Sequence, residues 1–211
     1  MLARKPLTRS QRGFRMKYPS LKLGRMVACE SLLEGDLVIL LEFSPGVLSY
    51  QEQPARIEYW DGERMREYFP DFEVCLSDGT QAHLEVKSSG RLAKPKIAAK
   101  YRAIARHYRR SERQFRIVTE LELHREPLRS NVRKLSYLRR RSGRDLPTTD
   151  ALCRMLGHDP RSLTSVEAYM GQLTTWQLLA IGRLVCDLTQ TITPDTLVSV
   201  DQGGCHATVL L

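Results

Sequence analysis

The stretch YFPDFEVCLSDGTQAHLEVKSSG, Tyr68 to Gly90, constrains this chain more than any other. Phe72, Val74 and Leu76 alternate along one run, Ser77–Gly79 supplies turn residues, and Ala82, Leu84 and Val86 alternate along the return. Period-two alternation around a glycine-containing turn predicts a β-hairpin with these residues on its core side. The same alternation puts Gln81, His83, Glu85 and Lys87 together on the opposite face. After SSG, Ile97, Tyr101, Ile104, Ala105 and Tyr108 recur at helical spacing, predicting a long amphipathic helix over 94–110. FRIVT (Phe115–Thr119) reads as another strand. Strand, helix, strand is a crossover unit, so the expected fold class is α/β with a mixed sheet.

The flanks are less regular. Leu33, Leu37, Leu40 and Leu41 predict a helix over 28–43, with Glu30, Glu34 and Val38 on a second stripe and SPG as its breaker. VLSYQEQPARIEYW is extended, interrupted by Pro54, and an Asp61-Gly62 turn follows. A further helix is expected over 131–140, with Val132, Leu135 and Leu138 as its stripe. RRRSGRDLP (139–147) reads as a linker. Beyond it lie helical patterns over 150–156, 166–173 and 176–188, with caps at Thr149 or Asp150 and at Ser165, then one or two strands in DTLVSVDQ. Three helices and a short hairpin outline a small winged helix. The expected organisation is a basic arm over 1–27, a catalytic domain over 28–141 and a small, mainly helical, winged-helix-like docking domain over 148–211.

Charge divides along the same lines. Lys and Arg number 33 against 24 Asp and Glu, a net +9. Residues 1–147 carry 30 basic and 18 acidic residues, whereas 148–211 carry 3 and 6. Residues 1–29 hold eight basic residues and no acid, the composition of a loosely ordered arm that tracks phosphates. Lys96, Lys100, Arg102, Arg106, Arg109 and Arg110 crowd the polar side of the 94–110 helix and are the expected DNA-binding residues; a merely solvated face is the alternative. A basic body suggests a polyanion partner. The five cysteines are odd in number and form no CxxC, so neither a disulfide framework nor a zinc site is indicated and reduced thiols are expected. No apolar run reaches the roughly 20 residues of a membrane span, and the start lacks the apolar core of a signal peptide. A soluble, cytoplasmic protein is expected.

Charged residues are depleted in strands, so Asp71, Glu85 and Lys87 on one small sheet need a reason. They line the wet face of an ordinary hairpin, or they converge on a metal ion. Phosphodiester hydrolysis calls for a divalent ion that activates water and offsets charge on phosphorus. Magnesium takes oxygen ligands, often one or two carboxylates completed by substrate phosphate and water. Asp71 and Glu85 are the expected ligands, the Val86 carbonyl a third oxygen, and Mn2+ the expected substitute for Mg2+. Lys87 would orient or deprotonate the attacking water. The strand-turn-strand setting and the basic body favour the nuclease reading.

Four segments then carry a resemblance. ESLLEGDLVILLEF, YQEQPARIEY, YFPDFEV and HLEVK, in that order over about 28–119, resemble the TnsA-type endonuclease subunits of heteromeric bacterial transposases. The resemblance implies a restriction-endonuclease-like fold. It also implies an active site made of a helix Glu, the Asp of PDF and the xVK strand, which here are Glu34, Asp71, Glu85 and Lys87. Glu30 competes with Glu34, but Glu34 fits the spacing to LLEF, and with it the metal set becomes Glu34, Asp71, Glu85 and Val86. Magnesium, cleavage at the 5′ ends of a transposable element during cut-and-paste transposition, and a partner-contacting winged-helix domain are further implications. The implied partners are double-stranded DNA at transposon ends, an integrase-type recombinase and an AAA+-type ATPase. A stand-alone restriction or repair nuclease, and a catalytically silent DNA-binding adaptor, are the alternatives. Gln53 reads as a structural hydrogen-bonder, His83 as an exposed strand histidine and Trp60 and Trp176 as packing residues; Gly203-Gly204 is too isolated for a phosphate loop.

Overall fold

The computed structural model describes residues 16–139 and 145–201, which form two compact units dividing between Leu123 and His124. In the first unit, β1 (Met16–Ser20) and β2 (Arg25–Cys29) pair as an antiparallel hairpin. This differs from the loose arm expected over 1–27; residues 1–15 of that arm lie outside the described residues. The hairpin is ordered because its residues Tyr18 and Val27 are buried and two of its cations, Lys22 and Arg25, have internal partners. Lys22 Nζ donates to the carbonyls of Ser44 and Val47 at 2.5 and 2.6 Å, and Arg25 makes a two-pronged contact with Glu52 at 2.7 Å on each prong. Such a fork fixes geometry as well as charge.

Helix α1 (Leu32–Phe43) starts after β2 has claimed Ala28 and Cys29, four residues later than the apolar spacing predicts. Its start is a reciprocal capping box: the Ser31 hydroxyl accepts from the Glu34 N–H at 3.1 Å, and the Glu34 carboxylate accepts from the Glu30 N–H at 2.7 Å and the Ser31 hydroxyl at 2.9 Å. Leu37, Val38, Leu40 and Leu41 are buried. At its end the buried Glu42 carboxylate accepts from the Ser20 hydroxyl, from the Leu21 N–H at 3.2 Å and from the Tyr50 hydroxyl at 2.7 Å, tying hairpin, helix and the next strand together.

That strand is β3 (Val47–Glu52). After the Pro54 interruption, β4 (Ile57–Trp60) and β5 (Met65–Tyr68) pair as a separate hairpin. The stretch read first from the sequence follows as β6 (Phe72–Leu76) and β7 (Gln81–Val86), turning through Gly79 at φ +83°, a conformation that glycine adopts without strain. The short α2 (Ser89–Leu92), the long α3 (Pro95–Arg110), β8 (Gln114–Val118) and α4 (Glu120–Leu123) complete the unit. The sheet order is β3-β6-β7-β8; β3, β6 and β7 are antiparallel neighbours and β8 runs parallel to β7, so α3 is the crossover.

Both faces of β7 are covered. His83, Leu84, Glu85 and Val86 are at most 6% exposed, as expected of a strand with a parallel neighbour inside a layered fold. The face holding His83 and Glu85, placed opposite the core by alternation, is a second core. Tyr101, Ala103, Ile104 and Tyr108 of α3 pack there with Ile57, Tyr59 and Tyr68 of the β4–β5 hairpin, and Phe115 and Ile117 join them. Ala103 therefore takes the buried place that the helical spacing predicts for Ala105. His83 is likewise not exposed: Nε2 lies 3.0 Å from a Glu73 oxygen and Nδ1 2.5 Å from the Tyr108 hydroxyl. Because a carboxylate only accepts, Nε2 carries the proton and Nδ1 accepts. Trp60, read as a packing residue, is 53% exposed at the hairpin's end.

The second unit opens with α5 (Leu128–Arg139), three residues earlier than expected. It continues as α6 (Thr149–Leu156), β9 (Arg161–Ser162), α7 (Leu163–Met170), α8 (Gln172–Ala180), β10 (Leu184–Val185) and β11 (Leu197–Val200), with strand order β10-β11-β9. Within this unit α6, β9, α7, α8, β10 and β11 follow the helix, strand, helix, helix, strand, strand order of a winged-helix-like arrangement, with α5 as a fourth helix. The helical patterns expected over 166–173 and 176–188 break earlier, at Gly171 and Gly182, whose φ values are +87° and +78°; Leu184 and Val185 are strand. Helix α5 belongs to this unit rather than to the catalytic domain ending at 141. It packs on α8, Lys134 Nζ sits 3.2 Å from the Trp176 ring centroid, and Asn131 Nδ2 donates to the Leu188 and Gln190 carbonyls at 2.9 and 2.8 Å. With α5 included, residues 124–204 hold eleven Lys and Arg against eight Asp and Glu. The acidic character read for 148–211 therefore does not extend to the folded unit. Part of the expected linker, and Gly203-Gly204, lie outside the described residues. Cys29, Cys75, Cys153 and Cys186 are free thiols. Among the described residues no helix is long and apolar enough to cross a membrane.

Candidate active site

The antiparallel pairing of β6 with β7 ends at Phe72 and Leu84, leaving the last residues of β7 facing the segment before β6. There the Asp71 carboxylate accepts a hydrogen bond from the Val86 N–H at 2.8 Å. In an extended strand both backbone groups of a residue point to the same edge, so the Val86 carbonyl is directed to the Asp71 side as well. One residue before Val86, Glu85 projects from the α3-covered face and is 3% exposed. Its carboxylate accepts from the Tyr68 hydroxyl at 2.7 Å and from the Tyr101 hydroxyl. Lys87 Nζ lies 3.1 Å from Glu85 Oε1 and 6.0 Å from the Tyr101 ring centroid. A buried carboxylate left without such donors would carry a large desolvation cost.

Asp71, Glu85 and Lys87 thus meet around one strand end, as the hairpin register predicts. Glu34 stands differently, since both its oxygens serve the α1 capping box. It remains within electrostatic reach of the others. Burial first, then the charges of Glu85 and Glu34, hold the Asp71 carboxyl well above its ordinary range, against the opposing Val86 hydrogen bond and Lys87 charge. Burial likewise raises Glu34, with the Glu30 N–H, the Ser31 hydroxyl and Lys87 opposing. Among the described residues, no three His, Cys, Asp or Glu side chains converge into a ready-made metal cage. Glu30 is turned aside, its carboxylate accepting from Gln53 Nε2 at 3.2 Å. Gln53 in turn donates its backbone N–H to the Asp71 carbonyl at 2.9 Å from a left-handed conformation, φ +44°. Its reading as a structural hydrogen-bonder agrees with that geometry.

Tyr68 and Tyr101 were not legible as site residues. Tyr101 belongs to the apolar stripe of α3, and a stripe predicts burial without saying what a phenol meets. Tyr68 comes from β5, whose pairing with β4 is a tertiary event. Lys96, Lys100, Arg102, Arg106, Arg109 and Arg110 are all exposed on α3, and Lys100 Nζ lies 5.6 and 5.3 Å from the ring centroids of Tyr68 and Tyr101. The basic face of α3 therefore begins beside Glu85 and runs away from it.

A search of the curated proteins returns no match. The scan against family models matches residues 44–120 to the TnsA-like endonuclease N-terminal domain. The match begins after α1, so Glu34 lies before it, whereas Asp71, Glu85, Val86, Lys87 and all of α3 fall inside. With the mixed sheet, its crossover helix and the acid-acid-lysine cluster at one strand end, residues 44–120 are similar to a TnsA-like endonuclease N-terminal domain.

Proposed function

We propose that the chain is a magnesium-dependent DNA endonuclease subunit of a transposase, hydrolysing phosphodiester bonds at the 5′ ends of a transposable element in cut-and-paste transposition. The observation that carries this reading is the meeting of Asp71, Glu85 and Lys87 around Val86, beside an uninterrupted basic helix. The donors suit magnesium: two carboxylates and a strand-end carbonyl are hard oxygen ligands, and this ion completes its shell with water and phosphate oxygens. The elevated Asp71 carboxyl supports the same fit, because burial first and then the charges of Glu85 and Glu34 disfavour its ionised form, which a bound cation would stabilise. Asp71, Glu85 and the Val86 carbonyl would hold the ion, with Glu34 behind them; when bound, it supplies Lewis-acid stabilisation of charge on the phosphate and an acidified water.

The remaining work falls to this chain's own groups. Lys87, held by Glu85 and the Tyr101 ring, presents a positive charge where the scissile phosphate approaches, which orients a water and offsets developing negative charge. Tyr68 and Tyr101 keep the Glu85 carboxylate in one orientation. The α3 cations bind the backbone without reading bases, so choice of site falls to an integrase-type recombinase and an AAA+-type ATPase. The test is strand cleavage in the reconstituted reaction with Mg2+. Asp71→Ala abolishes it, and Lys87→Ala lowers the rate by about 10²–10⁴ while keeping metal-induced thermal stabilisation. Wild-type rates in either variant refute the assignment of that residue.

A further inference from the structure

Lys87 borders two spaces. Its ammonium lies 3.1 Å from Glu85, and its side chain also lines an open cleft of about 380 Å³ whose other walls are Arg91, Lys94, Ile97, Lys100 and Tyr101. Four of these six side chains are cations and none is an acid. Among the described residues, Arg91, Lys94 and Lys100 form no ion pair with a carboxylate. The Tyr101 ring is the wall between the two spaces: its hydroxyl donates to Glu85, while Lys87 and Lys100 lie 6.0 and 5.3 Å from its centroid. Converging cations without a counter-charge repel one another, and an anion in the cleft relieves that repulsion. The floor argues for more than a bare anion, because Ile97 and the Tyr101 ring offer apolar surface beneath the charges. The volume is at the lower end of the roughly 300–1,000 Å³ typical of small-molecule sites, the size of one nucleotide rather than a base pair.

We propose that this cleft is a nucleotide subsite: it holds the nucleotide adjoining the scissile bond, with its phosphate on Arg91 and Lys94 and its deoxyribose against Ile97 and Tyr101. The proposal rests on the nuclease reading above and adds two contact residues to it, Arg91 of α2 and Lys94 at the N-cap of α3. The ligand class is a deoxynucleotide carrying a phosphate on each side of its sugar, one directed to Lys87 and one to Arg91 and Lys94.

The probe is thymidine 3′,5′-bisphosphate, titrated into the full chain by calorimetry in EDTA, so that binding is read without metal or cleavage. Wild-type protein should bind it more tightly than orthophosphate. The double variant Arg91→Gln/Lys94→Gln should bind about tenfold more weakly or worse, since two charge-assisted hydrogen bonds are removed from exposed positions. Arg56→Gln/Arg64→Gln, which removes two exposed cations from the β4–β5 hairpin, should bind like wild type. Absence of wild-type binding, equal binding by the cleft variant, or orthophosphate binding as tightly as the bisphosphate overturns the proposal. A protein that binds the bisphosphate through the cleft but never cleaves DNA refutes the nuclease reading alone. One that cleaves but shows no cleft-dependent binding refutes the subsite alone.

Discussion

Replacing Tyr101 with Phe removes one hydrogen-bond donor from Glu85 and little else. The ring remains, and with it the contacts to Lys87 and Lys100 at 6.0 and 5.3 Å. Glu85 is 3% exposed and has Tyr68, Tyr101 and Lys87 as its partners, so water cannot readily take the lost place. A hydrogen bond to a charged group contributes about 1.5–3 kcal/mol, more than the roughly 1 kcal/mol of a neutral one. For a chain of this length, about 2–4 °C of Tm accompanies each kcal/mol, so Tyr101→Phe should lower Tm by about 3–12 °C. In a Glu85→Gln background the acceptor is neutral and the same substitution should cost about 1 kcal/mol less. The assay is a double-mutant cycle by urea unfolding in EDTA, near neutral pH. A coupling energy within about 0.3 kcal/mol of zero would falsify the argument that the phenol sustains a buried charge.

Three further outcomes follow from the geometry. If α3 tracks phosphates, Lys96→Gln/Lys100→Gln/Arg106→Gln should flatten the dependence of log affinity on log salt by about 2–3 units on duplex DNA, and an unchanged slope would mean a solvated face. Asn131→Ala should destabilise the second unit by about 1–3 kcal/mol, because the Leu188 and Gln190 carbonyls lose a buried donor; urea unfolding that agrees with wild type to within 0.5 kcal/mol would refute that role. Burial, opposed by Glu73, holds the His83 pKa below its usual 6.5, with Tyr108 and Arg113 the other groups facing it. Its folded pKa is depressed, so its contribution to stability is present above 6.5 and lost as pH falls through 6.5 toward the folded value. His83→Asn should lose less stability than wild type between pH 7.5 and 5.5, and parallel pH profiles would count against it.

The periodicities of the chain were enough for the β6–β7 hairpin and for α3. Alternation around Ser77–Gly79 specified β6 and β7, and because side chains on a strand repeat every two residues, it also placed Glu85 and Lys87 on one face. Helical spacing specified α3 and sorted its six cations to the outside. The acid-apolar-lysine triplet carried the chemistry, since hydrolysis of a phosphodiester restricts which residue types can stand together at one strand end. What no local pattern contains is the identity of the neighbour. Period two says that Glu85 faces away from Leu84, but whether that face meets water or α3 depends on segments ten or more residues distant. Burial by Tyr68 and Tyr101 turned a supposed wet face into a charged core. The same reason explains the N-terminal hairpin, where eight basic residues in 29 suggested a free arm, yet Lys22 and Arg25 found carbonyls and a carboxylate more than twenty residues away. It also explains the second unit, whose apparent acidity vanished once α5 packed on α8. A sequence determines which faces are apolar and which groups are charged; only the packed chain decides which of them meet, because burial is a property of pairs of segments.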